Sequence, residues 1–192
     1  LAAGFKLCVL HPMSKQPFGD EWNRRLLDHP SQVSDTAGGF GMPLAVNGMC
    51  SVDFDNLPVA AAGLRRCGFS VDDIRSAGVA TSSTRPGSGG RVTFKVPPGA
   101  DLKWLRFTNK VDGTILELRA TSPNLQDCLP GTVYNSADGS GPWMQDYSGL
   151  FTMDTAFDLP PKLLAWWARM SHDLEYLHEQ QLLIAGPNAL LD

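Results

Sequence analysis

Apolar and polar positions alternate most cleanly in the middle of the chain. In Cys50 to Asp55, Val52 and Phe54 face one way and Ser51, Asp53 and Asp55 the other, the period of a strand. Arg91 to Val96 alternates as strictly, with Arg91, Thr93 and Lys95 opposite Val92, Phe94 and Val96. Trp104 to Thr108 and Thr114 to Ala120 flank Asp112-Gly113, a hairpin signal. Phe5 to Leu10 reads as a further strand, Glu21 to Leu27 and Val59 to Cys67 as helices, and Gly38 to Gly48 and Thr84 to Gly90 as loops. Leu125 to Asp146 is turn-rich and reads as irregular. Pro160 and Pro161 open a last helical segment, 161–185. Leu163, Trp167, Met170, Leu174 and Leu177 form its apolar stripe, with a break expected near Ser171. The fold class is therefore α+β, in one domain covering residues 1–192.

Composition narrows the chemistry. At 43% hydrophobic over 192 residues, the chain can build a core without disulfides or a structural metal. Cys8, Cys50, Cys67 and Cys128 are scattered with no CxxC, which disfavours a zinc site and fits a cytoplasmic protein. No apolar run reaches the ~20 residues of a membrane span, so no membrane partner is expected. Sixteen Lys and Arg against twenty Asp and Glu leave −4, against a simple nucleic-acid coat. The charge is uneven, however. From Arg85 to Arg119 seven cations oppose three acids, so this window carries +4 and the remainder −8. Phe94, Trp104 and Phe107 are interleaved with those cations, a pattern suited to phosphates and stacked bases, or to an ordinary basic sheet face.

The acids carry the sharper signal. Asp53 and Asp55 project together from one strand, and two adjacent carboxylates repel unless a cation lies between them. A hard divalent ion such as Mg²⁺ or Mn²⁺ meets that need; a solvated strand end is the plainer alternative. Glu117 sits between apolar neighbours on a strand expected to be central, and needs a partner. Arg119 on the same face is one candidate, and a metal shared with the two aspartates is the other. Ser88-Gly89-Gly90 offers backbone N–H groups to a phosphate, while the absence of GxxxxGK[ST] excludes a P-loop ATPase within this chain.

The order of these motifs resembles the bifunctional DNA primase/polymerase (prim-pol) domain of the archaeo-eukaryotic primase superfamily, over nearly the whole chain. Lys15-Gln16-Pro17 with Trp22 resembles the family's opening segment, and Gly41 to Gly48 the loop before its first acidic strand. Ser51 to Asp55 matches the hDhD/E motif, the most specific of the set, and Ile115 to Arg119 the third-motif acid. Ser88 to Phe94 resembles the second motif, with Arg91 standing where the family has histidine. Gln126 to Tyr134 resembles a segment near PPSxH, with Thr132 and Tyr134 at its serine and histidine. Leu159-Pro160-Pro161-Lys162-Leu163-Leu164 resembles the helix start that closes such domains.

The resemblance implies an RRM-like mixed β-sheet flanked by helices. It implies a template-directed primase and polymerase of mobile-element, phage or plasmid replication, in a bacterial, archaeal or phage-infected cell. Asp53, Asp55 and Glu117 would be catalytic and hold one or two Mg²⁺ or Mn²⁺. Arg85, Ser88, Gly89, Arg91, Arg119, Thr121 and Asn47 would contact a (d)NTP. Lys15, Lys95, Trp104, Arg106, Thr132 and Tyr134 are candidate substrate or template contacts. The partners implied are single-stranded or primed DNA, nucleoside triphosphates and a downstream helicase module, the chain being expected to be a piece of a longer replication protein. The Arg91 departure motivates a second reading, a DNA- or nucleotide-binding module without catalysis. A DxD glycosyltransferase is a third, which leaves the motifs after Asp55 unexplained.

Overall fold

The computed structural model describes residues 4–29, 32, 37–147 and 156–190. The alternating segments become the centre of an eight-stranded sheet. In chain order the strands are β1 (Cys8–Leu10), β2 (Gly39–Pro43), β3 (Met49–Phe54), β4 (Val79–Ser83), β5 (Gly90–Lys95), β6 (Leu105–Asn109) and β7 (Gly113–Arg119). They continue with β8 (Gln126–Cys128), β9 (Val133–Tyr134), β10 (Trp143–Tyr147) and β11 (Ala189–Leu190). The helices are α1 (Leu57–Arg66), α2 (Val71–Ser76), α3 (Pro161–His172) and α4 (Leu174–Ala185).

The large sheet runs β11-β6-β7-β3-β5-β4-β10-β9, and a small sheet runs β1-β2-β8. Every pairing between these strands is antiparallel. The expected mixed sheet is therefore corrected to an antiparallel one. β3 and β4 still run the same way, because β5 is inserted between them as an antiparallel partner of both. The α1–α2 crossover from β3 to β4 thus makes a split β-α-β unit.

One face of the large sheet is apolar. Val52 and Phe54 are fully buried there, packed with Ala60 and Leu64 of α1, Trp167 of α3 and Ile184 of α4. Each such side chain contributes roughly 1.5–3 kcal/mol by leaving water. Gly63 lets α1 and α4 cross closely: a Cβ there would lie 2.6 Å from the Ile184 Cα. The opposite face of β3, β5 and β7 is polar, and β8 supplies a charged residue to it.

Two local expectations fail for identifiable reasons and a third is met in part, while the expected Gly38–Gly48 loop contains β2. Glu21 to Leu27 is a series of turns, because Glu21 takes a left-handed φ of 57° and Leu27 exchanges both backbone hydrogen bonds with Leu7. The turn-rich 125–146 segment contains β8, β9 and most of β10. The C-terminal helix breaks at Asp173, whose side chain accepts from the Tyr176 N–H at 2.9 Å to cap α4. That break rotates the stripe: Leu163, Trp167 and Met170 are buried, but Leu174 is 63% exposed.

Candidate metal centre and its arginine lattice

The sheet register builds the site. Asp53 on β3 lies directly opposite Arg91 on β5 and Glu117 on β7. Arg91 pairs onward with Thr81 on β4, and Glu117 with Arg106 on β6. One row of residues therefore crosses five strands: Thr81, Arg91, Asp53, Glu117, Arg106. Asp55 follows one position past the end of β3, on the Asp53 side. Carboxylate oxygens of Asp53, Asp55 and Glu117 all lie within 4.8 Å of one another.

Every acid in the cluster meets an arginine. Arg91 donates to Asp53 at 3.0 Å, and Arg85 donates to Asp55 at 2.8 Å. Glu117 receives Arg106 at 2.6 Å and Arg119 at 2.5 Å, one on each oxygen. A fourth acid completes the lattice. Asp127 of β8 presents one oxygen 3.1 Å from Arg91 and 3.1 Å from Arg119. Its second oxygen is buried without a hydrogen-bond partner. The four acids and four arginines balance, but their exposure does not. Side-chain exposure is 6% for Arg91 and 14% for Arg119, against 32% for Arg85 and 46% for Arg106.

Electrostatics separates the two aspartates. Burial works to raise the Asp53 carboxyl, but Arg91, Arg119, Lys15 and Arg85 outweigh it and hold the group below its ordinary range. Asp55 is held above its ordinary range, chiefly by burial and then by Asp53 and Glu117, against the support of Arg85. Of the two aspartates, Asp55 is the costlier to keep ionised. Three carboxylate oxygens at that spacing could hold a metal ion.

The other expected residues divide by position. The 84–90 loop packs on the end of β3: the Gly89 N–H donates to the Phe54 carbonyl at 2.8 Å, and the Leu57 N–H to the Gly87 carbonyl at 2.9 Å. Arg85, Ser88 and Gly89 thus stand beside the acids. Arg85 also lines two clefts. One, of about 440 Å³, is bounded by Asp55, Pro86 and Thr114. The other, of about 700 Å³, is bounded by Lys15, Gln16 and Tyr134. Lys15 lies 4.0 Å over the Tyr134 ring, whose hydroxyl is 3.0 Å from Ser83 Oγ. Trp104 stacks against Arg106 at 4.7 Å. Arg91 is walled in between Asp53 and Asp127 rather than open to a triphosphate.

Three expected contacts are committed elsewhere. The Asn47 amide is spent on Lys6 and on the Pro43 carbonyl, tying the first strand region to the turn before β3. Thr121 donates to the Leu102 carbonyl. Thr132 is buried against Gly39 and donates to the Phe40 carbonyl at 3.5 Å. Lys95 is four residues along β5 from Arg91, roughly 13 Å away at strand spacing.

Asp127 was missed by sequence reasoning. It lies in a three-residue strand, Gln126–Cys128, too short for alternation to mark its face. No protein-family model matches the chain, and no curated protein matches it. All four cysteines are free thiols, and among the described residues no helix is long and apolar enough to cross a membrane.

Proposed function

We propose that this chain is a metal-dependent nucleotidyltransferase of the prim-pol kind, adding (d)NTPs to a 3′-hydroxyl on a DNA template. The observation that carries the reading is the convergence of Asp53, Asp55 and Glu117 from adjacent strands, with oxygens within 4.8 Å, beside the 84–90 loop. The central strand order β7-β3-β5-β4 with a helical crossover supports an RRM-like core. The motif order along the chain supports the same family.

Asp53, Asp55 and Glu117 would hold a Mg²⁺- or Mn²⁺-class ion, which when bound lowers the pKa of an attacking hydroxyl and offsets charge at the α-phosphate. The chain's own residues do the rest. Asp127 fixes Arg91 and Arg119, and these in turn orient Asp53 and Glu117. Arg91 is on this account a positioning residue, not a triphosphate ligand. Arg85 and Lys15 face the open clefts and supply cations to the phosphates. Arg106 and Trp104, exposed and stacked together toward the far end of the row, are our candidates for the template contact.

The test is extension of a primed single strand with dNTPs and Mn²⁺ or Mg²⁺. Wild type extends the primer, and Asp53→Ala with Asp55→Ala gives no product; equal extension by the double variant overturns the assignment. One observation favours a second reading: each acid already has an arginine partner. A purely binding module predicts salt-sensitive DNA binding and no product even in Mn²⁺.

A further inference from the structure

We infer that Arg85 and Arg106 are displaceable counter-ions, which occupy the acidic cluster until a divalent cation enters and which are then released toward substrate. This rests on the metal-site reading above and adds a mechanism for how the site loads.

The argument is one of charge and burial. Asp53, Asp55, Glu117 and Asp127 bring four negative charges. Arg91 and Arg119 are nearly buried, are held jointly by one Asp127 oxygen, and each also grips an acid of the triad. They are fixed, and they leave a net charge of two unbalanced. Arg85 and Arg106 supply those two charges from the rim. Both have one face in solvent, and each binds a single acid of the triad. A divalent cation carries the charge of the two rim arginines together, so exchanging them keeps the cluster neutral. Exchanging the two inner ones instead would strand Asp127 with a buried, unpaired charge.

Each rim arginine also has somewhere to go. Arg85 already lines both the 440 Å³ and the 700 Å³ clefts, the second of which holds Lys15. Freed from Asp55, its guanidinium becomes a phosphate ligand. Arg106 already stacks on the half-exposed Trp104 ring. Freed from Glu117, the pair becomes a cationic stacking platform. Cation entry and anion binding are thereby coupled through the same side chains.

The experiment measures Mn²⁺ binding to the full chain by electron paramagnetic resonance, for wild type, Arg85→Ala, Arg106→Ala and the double variant. In parallel, peptide mapping follows phenylglyoxal modification of Arg85 and Arg106 in wild type, with and without Mn²⁺. Removing a competing cation beside the site should tighten Mn²⁺ binding about tenfold per arginine. Mn²⁺ should also speed modification of both arginines, with Arg91 and Arg119 remaining protected. The mapping needs no variant, so it stands even where a substitution perturbs folding. Wild-type binding with unchanged or weaker binding in both variants, or unchanged modification, overturns the exchange and leaves the metal site standing. No Mn²⁺ binding by any of the four proteins overturns the metal site itself. Binding only after the arginines are removed overturns the exchange, because the rim arginines then block the cation instead of yielding to it.

Discussion

Asp127 is the acid whose loss separates a structural lattice from a loose collection of ion pairs. Asp127→Asn keeps the shape of the side chain and removes its charge. The carboxylate is 3% exposed and lies 3.1 Å from both Arg91 and Arg119. At an effective dielectric of about 20, each pair is worth roughly 5 kcal/mol before the cost of stripping water from the carboxylate. Removing one partner of such a buried set leaves its neighbours undercompensated, a net loss of about 3–5 kcal/mol. For a chain of this length, a loss near the lower end lowers Tm by roughly 6–12 °C. Urea unfolding followed by circular dichroism measures it, with Glu21→Gln as the control. Glu21 pairs with Arg24 on the open surface, so that change should stay within about 0.5 kcal/mol. A loss under about 1 kcal/mol at Asp127 would refute the reasoning, because it would mean that Arg91 and Arg119 are held as well without it.

Other outcomes follow from the same geometry. Asp55→Asn should stabilise the metal-free protein at neutral pH, since burial, Asp53 and Glu117 all penalise its ionised form. With the folded carboxyl held up, its contribution is complete below about pH 3.9 and is lost as pH rises through the folded value. Depressed carboxylates such as Asp53 give the opposite slope, so the variant should steepen the acid limb of a stability–pH curve, and a flatter limb contradicts the assignment. Gly90→Ala should cost more than about 2 kcal/mol, because Gly90 has φ +68° and a Cβ there would lie 2.0 Å from the Thr81 carbonyl oxygen. An unchanged unfolding midpoint would contradict that. Burial pushes the Cys8 thiol up to about 12 and the Cys67 thiol to about 11. Unfolded thiols ionise near pH 8.5, so the folded state loses stability above that pH, and iodoacetamide at pH 8 should label both residues only on unfolding. Rapid labelling of the native protein would sink this account.

What sequence could and could not deliver depends on how each contact is specified. Asp53 and Asp55 were legible because a two-residue period fixes the face of a strand from local information alone. Glu117 was legible as a misfit, and the Asp112-Gly113 turn placed its strand. Its second arginine was not. Asn109 pairs with Gly113 and Thr108 with Thr114, a register that extended unbroken would set Arg106 opposite Leu116. An irregularity between Phe107 and Thr108 shifts the pairing by one, so Arg106 meets Glu117 instead. A one-residue slip reverses every face beyond it, and nothing in the local pattern announces this one. Asp127 was hidden differently. Its strand has three residues, too few to show a period, and it is fixed only by pairing with β2, more than eighty positions away in the chain. Charge counted along the sequence met the same limit: the +4 window suggested an open cationic surface, while the register folds four of its arginines onto acids. How many of those cations can meet a polyphosphate therefore depends on which of the four acids hold on to their partners, and burial assigns that freedom to Arg85 and Arg106.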